Sequence, residues 1–343
     1  MTEINKAFWQ DAINIPAEIR TASVPTNLQP HEIQIRTHAW GFNPVDSAVQ
    51  KFPIPIMQWP MIPGVDVCGV VSRTGSSVTN FQQGDRVLAT AVGTITNDPR
   101  HGGFQTYVAV DAKLACSIPA RFSFADGAVL PLGLGTSAHG LYAKQYLALD
   151  VPRDGPLKHT DRWLFVWGAS SCVGSNAVQL ARASGLRVVA TCSAKNFDYV
   201  RSLGTEVVRD YNDAGVIDDL AALLDERDVA GIFHAAGEVK TSAAVAAKMK
   251  KKPFVCTATF ISDGDIPDGV TAKMIWYTPP EIIFEETTAP LFEKFLPAAL
   301  ESGEYKVAPP PYVVNKKGVE GIQEGIDTIA KGVSATKIVV ENP

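Results

Sequence analysis

No stretch of the chain is apolar for long enough to cross a membrane. A spanning helix needs about 18–20 consecutive apolar residues, and the apolar runs here are strand-sized. There is no excess of basic charge: 31 Lys and Arg against 36 Asp and Glu leave a net charge of −5. A nucleic-acid partner, which calls for a basic stripe, is therefore not expected. Cysteine is scarce. The five residues (Cys68, Cys116, Cys172, Cys192, Cys256) form no C-x-x-C pair, which predicts reduced thiols of a cytoplasmic protein rather than a disulfide frame. The first residues, MTEINKAFWQDAINIP, lack a charged segment followed by an apolar core, so no secretory signal is expected. G-x-S-x-G does not occur around Ser170 or Ser171, so a serine hydrolase is not supported. Internal repeats and low-complexity tracts are missing too. What remains is a chain of 343 residues, 46% hydrophobic and 20% charged, with length for two domains.

The organising stretch is residues 163–193. A short apolar run, 163–167, predicts a strand buried on both faces. A turn follows, Gly168-Ala169-Ser170-Ser171-Cys172-Val173-Gly174. Then Val173, Ala177, Leu180, Ala181 and Ser184 recur on one helical face, and Gly185 stands where helices end. A second apolar run covers 186–190. Strand, turn, helix and strand together make a parallel crossover unit. A dinucleotide pyrophosphate wants backbone N–H groups at a helix N-terminus with no side chains in the way. Gly168 and Gly174 hold the outer positions of a G-x-x-G-x-x-G pattern, and Ser171 holds the middle one. Ser170, Ser171, Cys172 and Val173, with the two glycines, are the candidate phosphate-binding residues. A glycine-rich turn of any α/β domain would share the pattern, but not the flanking strand and helix.

The second strand bears on which dinucleotide. An NAD site places an acid about 20 residues past the glycines, against the ribose 2′-OH. Here the strand ends Thr191-Cys192-Ser193, Lys195 follows, and Arg201 lies on the next helix. Hydroxyls and a cation suit a 2′-phosphate, so NADPH is the expected cofactor.

Residues 1–125 read as short strands with turns between: 33–37 alternates, and 65–71 and 86–91 are apolar. Prolines crowd 52–63, which predicts an irregular loop. Residues 124–146 read as helical, interrupted by Pro131-Leu132-Gly133-Leu134-Gly135, and 147–161 as a surface loop. Alternating strands and helices then run to 259, giving at least five strands and a doubly wound sheet. In the tail, 290–300 and 319–331 are helical, 308–314 is extended, and 337–340 is a last strand that could rejoin the β-rich domain.

The chain resembles the medium-chain dehydrogenase/reductase superfamily. The carrying residues are Gly41-Phe42-Asn43-Pro44-Val45-Asp46, Pro63-Gly64-Val65-Asp66 with Cys68-Gly69-Val70-Val71, Phe81-Gln82-Gln83-Gly84-Asp85-Arg86-Val87, the segment 331–337 and the unit around Gly168. The resemblance implies an α/β fold: a GroES-like β-rich substrate domain (1–125 with 290–343) plus a Rossmann doubly wound parallel sheet (126–289). Zinc members carry Cys where Asn43 stands and Gly-His-Glu where Gly64-Val65-Asp66 stands, and none of the six histidines occupies those positions. A catalytic zinc needs three convergent protein ligands, so zinc is not expected.

The chain looks more like the zinc-free quinone oxidoreductases and enoyl reductases, above all the fungal stand-alone enoyl reductases that serve polyketide synthases. That likeness places Asn43 and Thr136 beside the nicotinamide, and Ser193, Lys195 and Tyr211 around the 2′-phosphate and its ribose. It implies a small-molecule or carrier-bound acyl substrate and a synthase partner in trans, with no membrane or nucleic-acid partner. Some enoyl reductases set a tyrosine shortly after the Asn-Pro-x-Asp segment; here Gln50-Lys51-Phe52 stands there. Lys51, His139 or water is left as proton donor. The expected activity is NADPH-dependent reduction of an activated C=C. Quinone reduction and a non-catalytic NADPH-binding role are the alternatives. Loops 52–59 and 276–284 are expected to shape the substrate pocket.

Overall fold

The computed structural model describes residues 3–276, 282–283 and 286–343. It divides into two compact units, Met1–Leu132 with Pro310–Pro343, and Gly133–Pro309.

In the first unit, β1 (Asn5–Trp9) and β2 (Glu18–Ala22) make a small antiparallel pair. A larger sheet contains β3 (Glu32–Gly41), β4 (Asp66–Thr74), β5 (Arg86–Thr90), β6 (Tyr107–Asp111) and β7 (Ala115–Ser117). β3 is its hub, antiparallel to both β4 and β6. The helix Pro44–Lys51 follows β3 directly; its opening proline has no N–H to lose at that position. The proline-rich 52–63 segment contains no helix or extended strand, as its composition predicts.

The second unit is built on β8 (Arg162–Trp167), β9 (Arg187–Cys192), β10 (Val207–Asp210), β11 (Asp228–His234), β12 (Val255–Thr257) and β13 (Ala272–Met274), all parallel, in the order β10-β9-β8-β11-β12-β13. That is the doubly wound order, with its switch point between β8 and β11. After its first residue β8 is buried throughout, because helices cover both faces of such a sheet. Phe165, Val189, Leu220, Leu224, Ile232, Val239 and Val255 pack together on one side. The segment 290–309 lies in this unit: Tyr305 donates to Asn176 Oδ1 at 2.6 Å, and Gln179 Oε1 accepts from Lys306 N at 2.8 Å.

The chain then returns. β14 (Pro311–Val313) pairs with β15 (Lys337–Glu341), and β15 lies antiparallel to β3, with Val339 opposite Gly41. Residues 310–343 thus join the first unit, whereas 290–309, expected to go with them, lie in the second. The expected strand 33–37 lies within β3, 65–71 corresponds to β4, which starts one residue later and runs on to Thr74, and 86–91 corresponds to β5, which ends at Thr90; β1, β2, β6, β7 and the edge strand β13 carry no clear pattern in the sequence. The expected helical break at 131–135 is absent, since the helix Pro131–Tyr142 runs through those residues. The expected helix at 290–300 contains a π-helical turn, Leu291–Phe295.

Candidate functional site

The dinucleotide turn lies between β8 and the helix Cys172–Ala183, at the carboxyl end of the parallel sheet. Ser171 is the N-cap of that helix. Its hydroxyl accepts from Gly174 N at 3.0 Å and donates to Gly168 O at 2.9 Å. This explains serine at the middle position of the glycine pattern: it cross-links the two ends of the turn and caps the helix. Gly174 is required by space. A Cβ there would stand 2.3 Å from Gly168 O and 2.7 Å from Ala169 Cα. Ser175 reinforces the turn through Ala169 O (3.1 Å) and Tyr199 Oη (2.6 Å). Ser170, Cys172 and Val173 occupy the half-buried mouth of the turn, where the first N–H groups of a helix precede any intrahelical acceptor and favour an anion.

Thr136 belongs to the helix Pro131–Tyr142. Its neighbour Ser137 donates to Val173 O at 2.7 Å, and a Cβ on Gly133 would meet Cys172 Sγ at 2.4 Å. The turn and the Thr136 segment are therefore one packed piece, and Thr136 is only half-buried. His139, one turn on, is 2% exposed, and burial pushes its pKa down to about 4. At neutral pH its imidazole is uncharged, so it holds no imidazolium proton to give.

Ser193 lies at the end of β9 with Lys195 exposed beyond it. Ser193 Oγ accepts from Asn196 Nδ2 at 3.1 Å. Tyr211 is 39% exposed and stacks on Trp167 at 6.4 Å between centroids. Its ring both packs and faces outward. Asp210 at the end of β10 went unnoticed in the sequence. Its carboxylate accepts from Ala194 N (3.2 Å), Asn212 N (2.9 Å) and Asn212 Nδ2 (2.8 Å), and the Asn212 backbone N–H leads in lowering its pKa. The acid reaches the end of β9 from the neighbouring strand, but its oxygens are engaged within the loop.

In the first unit Asn43 is 6% exposed and sits in a buried cluster with Asp46, Asp66 and Lys337. Asn43 Nδ2 donates to Asp66 Oδ2 at 2.8 Å. Lys337 Nζ donates to Asn43 Oδ1 and to Asp66 Oδ2, each at 2.6 Å. Leu132 N donates to Asp66 Oδ1 at 2.7 Å, and Asn43 N to Asp46 Oδ2 at 2.7 Å. Lys51 is not part of this cluster; it is exposed at the end of its helix. Sequence reasoning passed over Lys337 and Asp46 as site residues, although a lysine opening an apolar strand is the signal that could have found the first. Of the two loops expected to shape the pocket, 52–59 is described; 277–281 and 284–285 lie outside the described residues.

Burial is the main cause of the raised pKa of Asp46, about 7 against an ordinary 3.8, with the Asp66 carboxylate adding to it and Asn43 N opposing it. The folded protein thus holds a proton on Asp46 between about pH 4 and 7 that the unfolded chain releases. This group's contribution to stability is present below pH 4 and is lost as pH rises through 7. Comparing the wild type with Asp46→Asn in urea unfolding, the wild type should lose roughly 4 kcal/mol relative to the variant between pH 4 and 8. A constant difference across that range would refute the assignment.

A six-stranded parallel sheet of this order, with a tight turn capping the helix after its first strand, defines a dinucleotide-binding Rossmann fold. The comparisons with known proteins carry this further. Residues 29–120 match the alcohol dehydrogenase GroES-like domain, and 172–283 the zinc-binding dehydrogenase domain. The chain belongs to the medium-chain dehydrogenase/reductase superfamily. It is 36% identical to the trans-enoyl reductase himH of Aspergillus japonicus, over 98% of this chain and 97% of that one. It is 34% identical to the dehydrogenase orsE of Emericella nidulans, over 98% and 99%. The CurK enoyl reductase structure superposes with a TM-score of 0.71 at 17% identity, covering 99% of each chain.

The family model's zinc does not fit these residues. Among the described residues no group of three His, Cys, Asp or Glu side chains could hold a metal ion. Where the zinc branch has its Cys, His and Glu stand Asn43, Val65 and Asp66; the first and last of these present oxygens that both accept from the Lys337 ammonium.

Proposed function

We propose that the protein is a zinc-independent, NADPH-dependent reductase that adds hydride to an activated C=C, an α,β-unsaturated carbonyl or thioester, in fungal secondary metabolism. The observation that carries this reading is the Asn43–Asp66–Lys337 cluster, hostile to zinc in a chain of enoyl reductase type. Without a Lewis acid, a conjugated alkene is a better hydride acceptor than an isolated ketone, because the developing charge spreads into an enolate. Relatives named trans-enoyl reductases support the substrate class.

The bound cofactor supplies the hydride. The chain's own residues supply position and charge. The N-terminus of the helix Cys172–Ala183 holds the pyrophosphate, with Gly174 leaving it room. Ser193, Lys195 and Tyr211 take the 2′-phosphate and its ribose. Thr136, packed against the turn, orders the nicotinamide end, and Asn43 borders the ring. The proton for the α-carbon comes from Lys51 Nζ or from solvent.

NADPH carrying deuterium at C4 should deliver its label to the β-carbon of an enoyl substrate, with the α-proton drawn from solvent. Product mass and NMR locate both. Deuterium on a carbinol carbon would mean carbonyl reduction and end the ene-reductase reading. Tight NADPH binding with no turnover of enals, enones or quinones would make the protein a non-catalytic binder.

Cofactor choice has its own test. Lys195 is exposed at the end of β9, and a charge-assisted contact with a phosphate is worth about 1.5–3 kcal/mol. Lys195→Ala should weaken NADPH binding roughly 10- to 100-fold and leave NADH nearly unchanged. Equal losses in a fluorescence titration with both cofactors would refute the assignment.

A further inference from the structure

We infer that the Lys337 ammonium is a built-in cation that stands where the zinc branch of the family places its metal, and that it positions the Asn43 amide. Asn43 stands at the Cys position and Asp66 at the Glu position of that branch's pattern, with Val65 at the His position, and Lys337 Nζ lies 2.6 Å from an oxygen of each of the first two. A metal entering there would need the lone pairs that the ammonium already uses, and would meet its positive charge at contact distance.

The fold makes room for this arrangement. Lys337 opens β15, Gly41 ends β3 and Asp66 opens β4, on three neighbouring strands. A Cβ on Gly41 would lie 3.0 Å from Lys337 Cε, 3.0 Å from Asp66 Cβ and 2.1 Å from Ala128 O. The missing side chain at 41 is the gap through which the lysine reaches the acid. Lys337 is 2% exposed and Asp66 fully buried. A buried lysine keeps its charge only with a partner at hand, and here it has a carboxylate and an amide oxygen.

The consequence falls on Asn43. Its Oδ1 faces the ammonium and its Nδ2 faces Asp66 Oδ2. Turning the amide over would set a donor against the ammonium and an acceptor against the carboxylate. Lys337 and Asp66 together leave one orientation. Lys337 is thus a positioning residue, and this role rests on the reading above that Asn43 borders the nicotinamide.

The test uses Lys337→Met, the double variant Asp66→Asn/Lys337→Met, and Lys337→Ala with added alkylammonium. Lys337→Met should lower the thermal midpoint, because it leaves the Asp66 carboxylate buried and unpaired. The double variant should recover most of that midpoint. Its kcat with an enoyl substrate should stay roughly 10- to 100-fold down while the KM for NADPH changes less than about 3-fold. Ethylammonium should raise the thermal midpoint and kcat of Lys337→Ala, and tetramethylammonium, which has no N–H, should not. A double variant with wild-type kcat would reduce the lysine to charge balance and overturn the positioning role. Rescue of Lys337→Ala by neither or by both ions would overturn the built-in cation. If the wild type reduces no enoyl acceptor, the functional reading fails by itself; the thermal midpoints with the two ions still decide the cation.

Discussion

Asp66→Ala is expected to destabilise the protein by about 3–5 kcal/mol, the range for removing one partner of a buried ion pair. The carboxylate accepts three short bonds, from Asn43 Nδ2, Lys337 Nζ and Leu132 N. Removing it strands an ammonium that is 2% exposed, and water cannot reach it to compensate. The backbone N–H of Leu132 also loses its acceptor, which adds a desolvation cost. Urea unfolding measures the change. Asp66→Asn keeps the shape and one acceptor, so it should unfold at higher urea than the alanine variant and at lower urea than the wild type. A loss under about 1 kcal/mol for Asp66→Ala would show that the pair is solvated in solution, against the buried geometry.

Gly174→Ala should have a comparable effect on the cofactor. The new Cβ would stand 2.3 Å from Gly168 O and 2.7 Å from Ala169 Cα, both backbone atoms that cannot swing aside. The turn must open, and the Ser171 bonds to Gly168 O and Gly174 N go with it. Those bonds set the N-terminal N–H groups on which a pyrophosphate depends. NADPH affinity should fall at least ~100-fold, equivalent to about 2.7 kcal/mol, with a lower thermal midpoint for the second unit. Ser171→Ala, which removes the cap and leaves space untouched, should fall between wild type and Gly174→Ala. Unchanged NADPH binding in Gly174→Ala would place the phosphates elsewhere.

The α/β character, the dinucleotide turn and the return of the tail were all readable in the chain. Each rests on local signals: apolar runs of strand length, a helical stripe from Val173 to Ser184, glycine at the turn and beyond the helix. These elements recur within a residue or two of their expected bounds, as β8, β9 and the helix Cys172–Ala183 do. Ser193 and Lys195 were singled out because the expected acid is missing at the end of β9; Tyr211, which follows the adjacent strand β10, joined them only through the family resemblance. The short strands β1, β2 and β7 were not readable. β2 is mostly exposed and β7 has three residues, so neither carries a periodic apolar face.

The family resemblance showed no histidine or cysteine where a zinc enzyme needs them; what the residues determined by themselves is a nucleotide-binding α/β unit and a β-rich one. Residue types and spacing suffice for that, because periodicity and turn chemistry act over a few residues. Only the tertiary structure brought Lys337 to Asn43 and Asp66. Lys337 lies 271 residues from Asp66 and 294 from Asn43 along the chain. They meet because β15 adds to β3 beside β4, and because Gly41 leaves a gap between them. A contact of that range is set by strand order and register, and no local pattern around a lysine encodes which carboxylate it will meet.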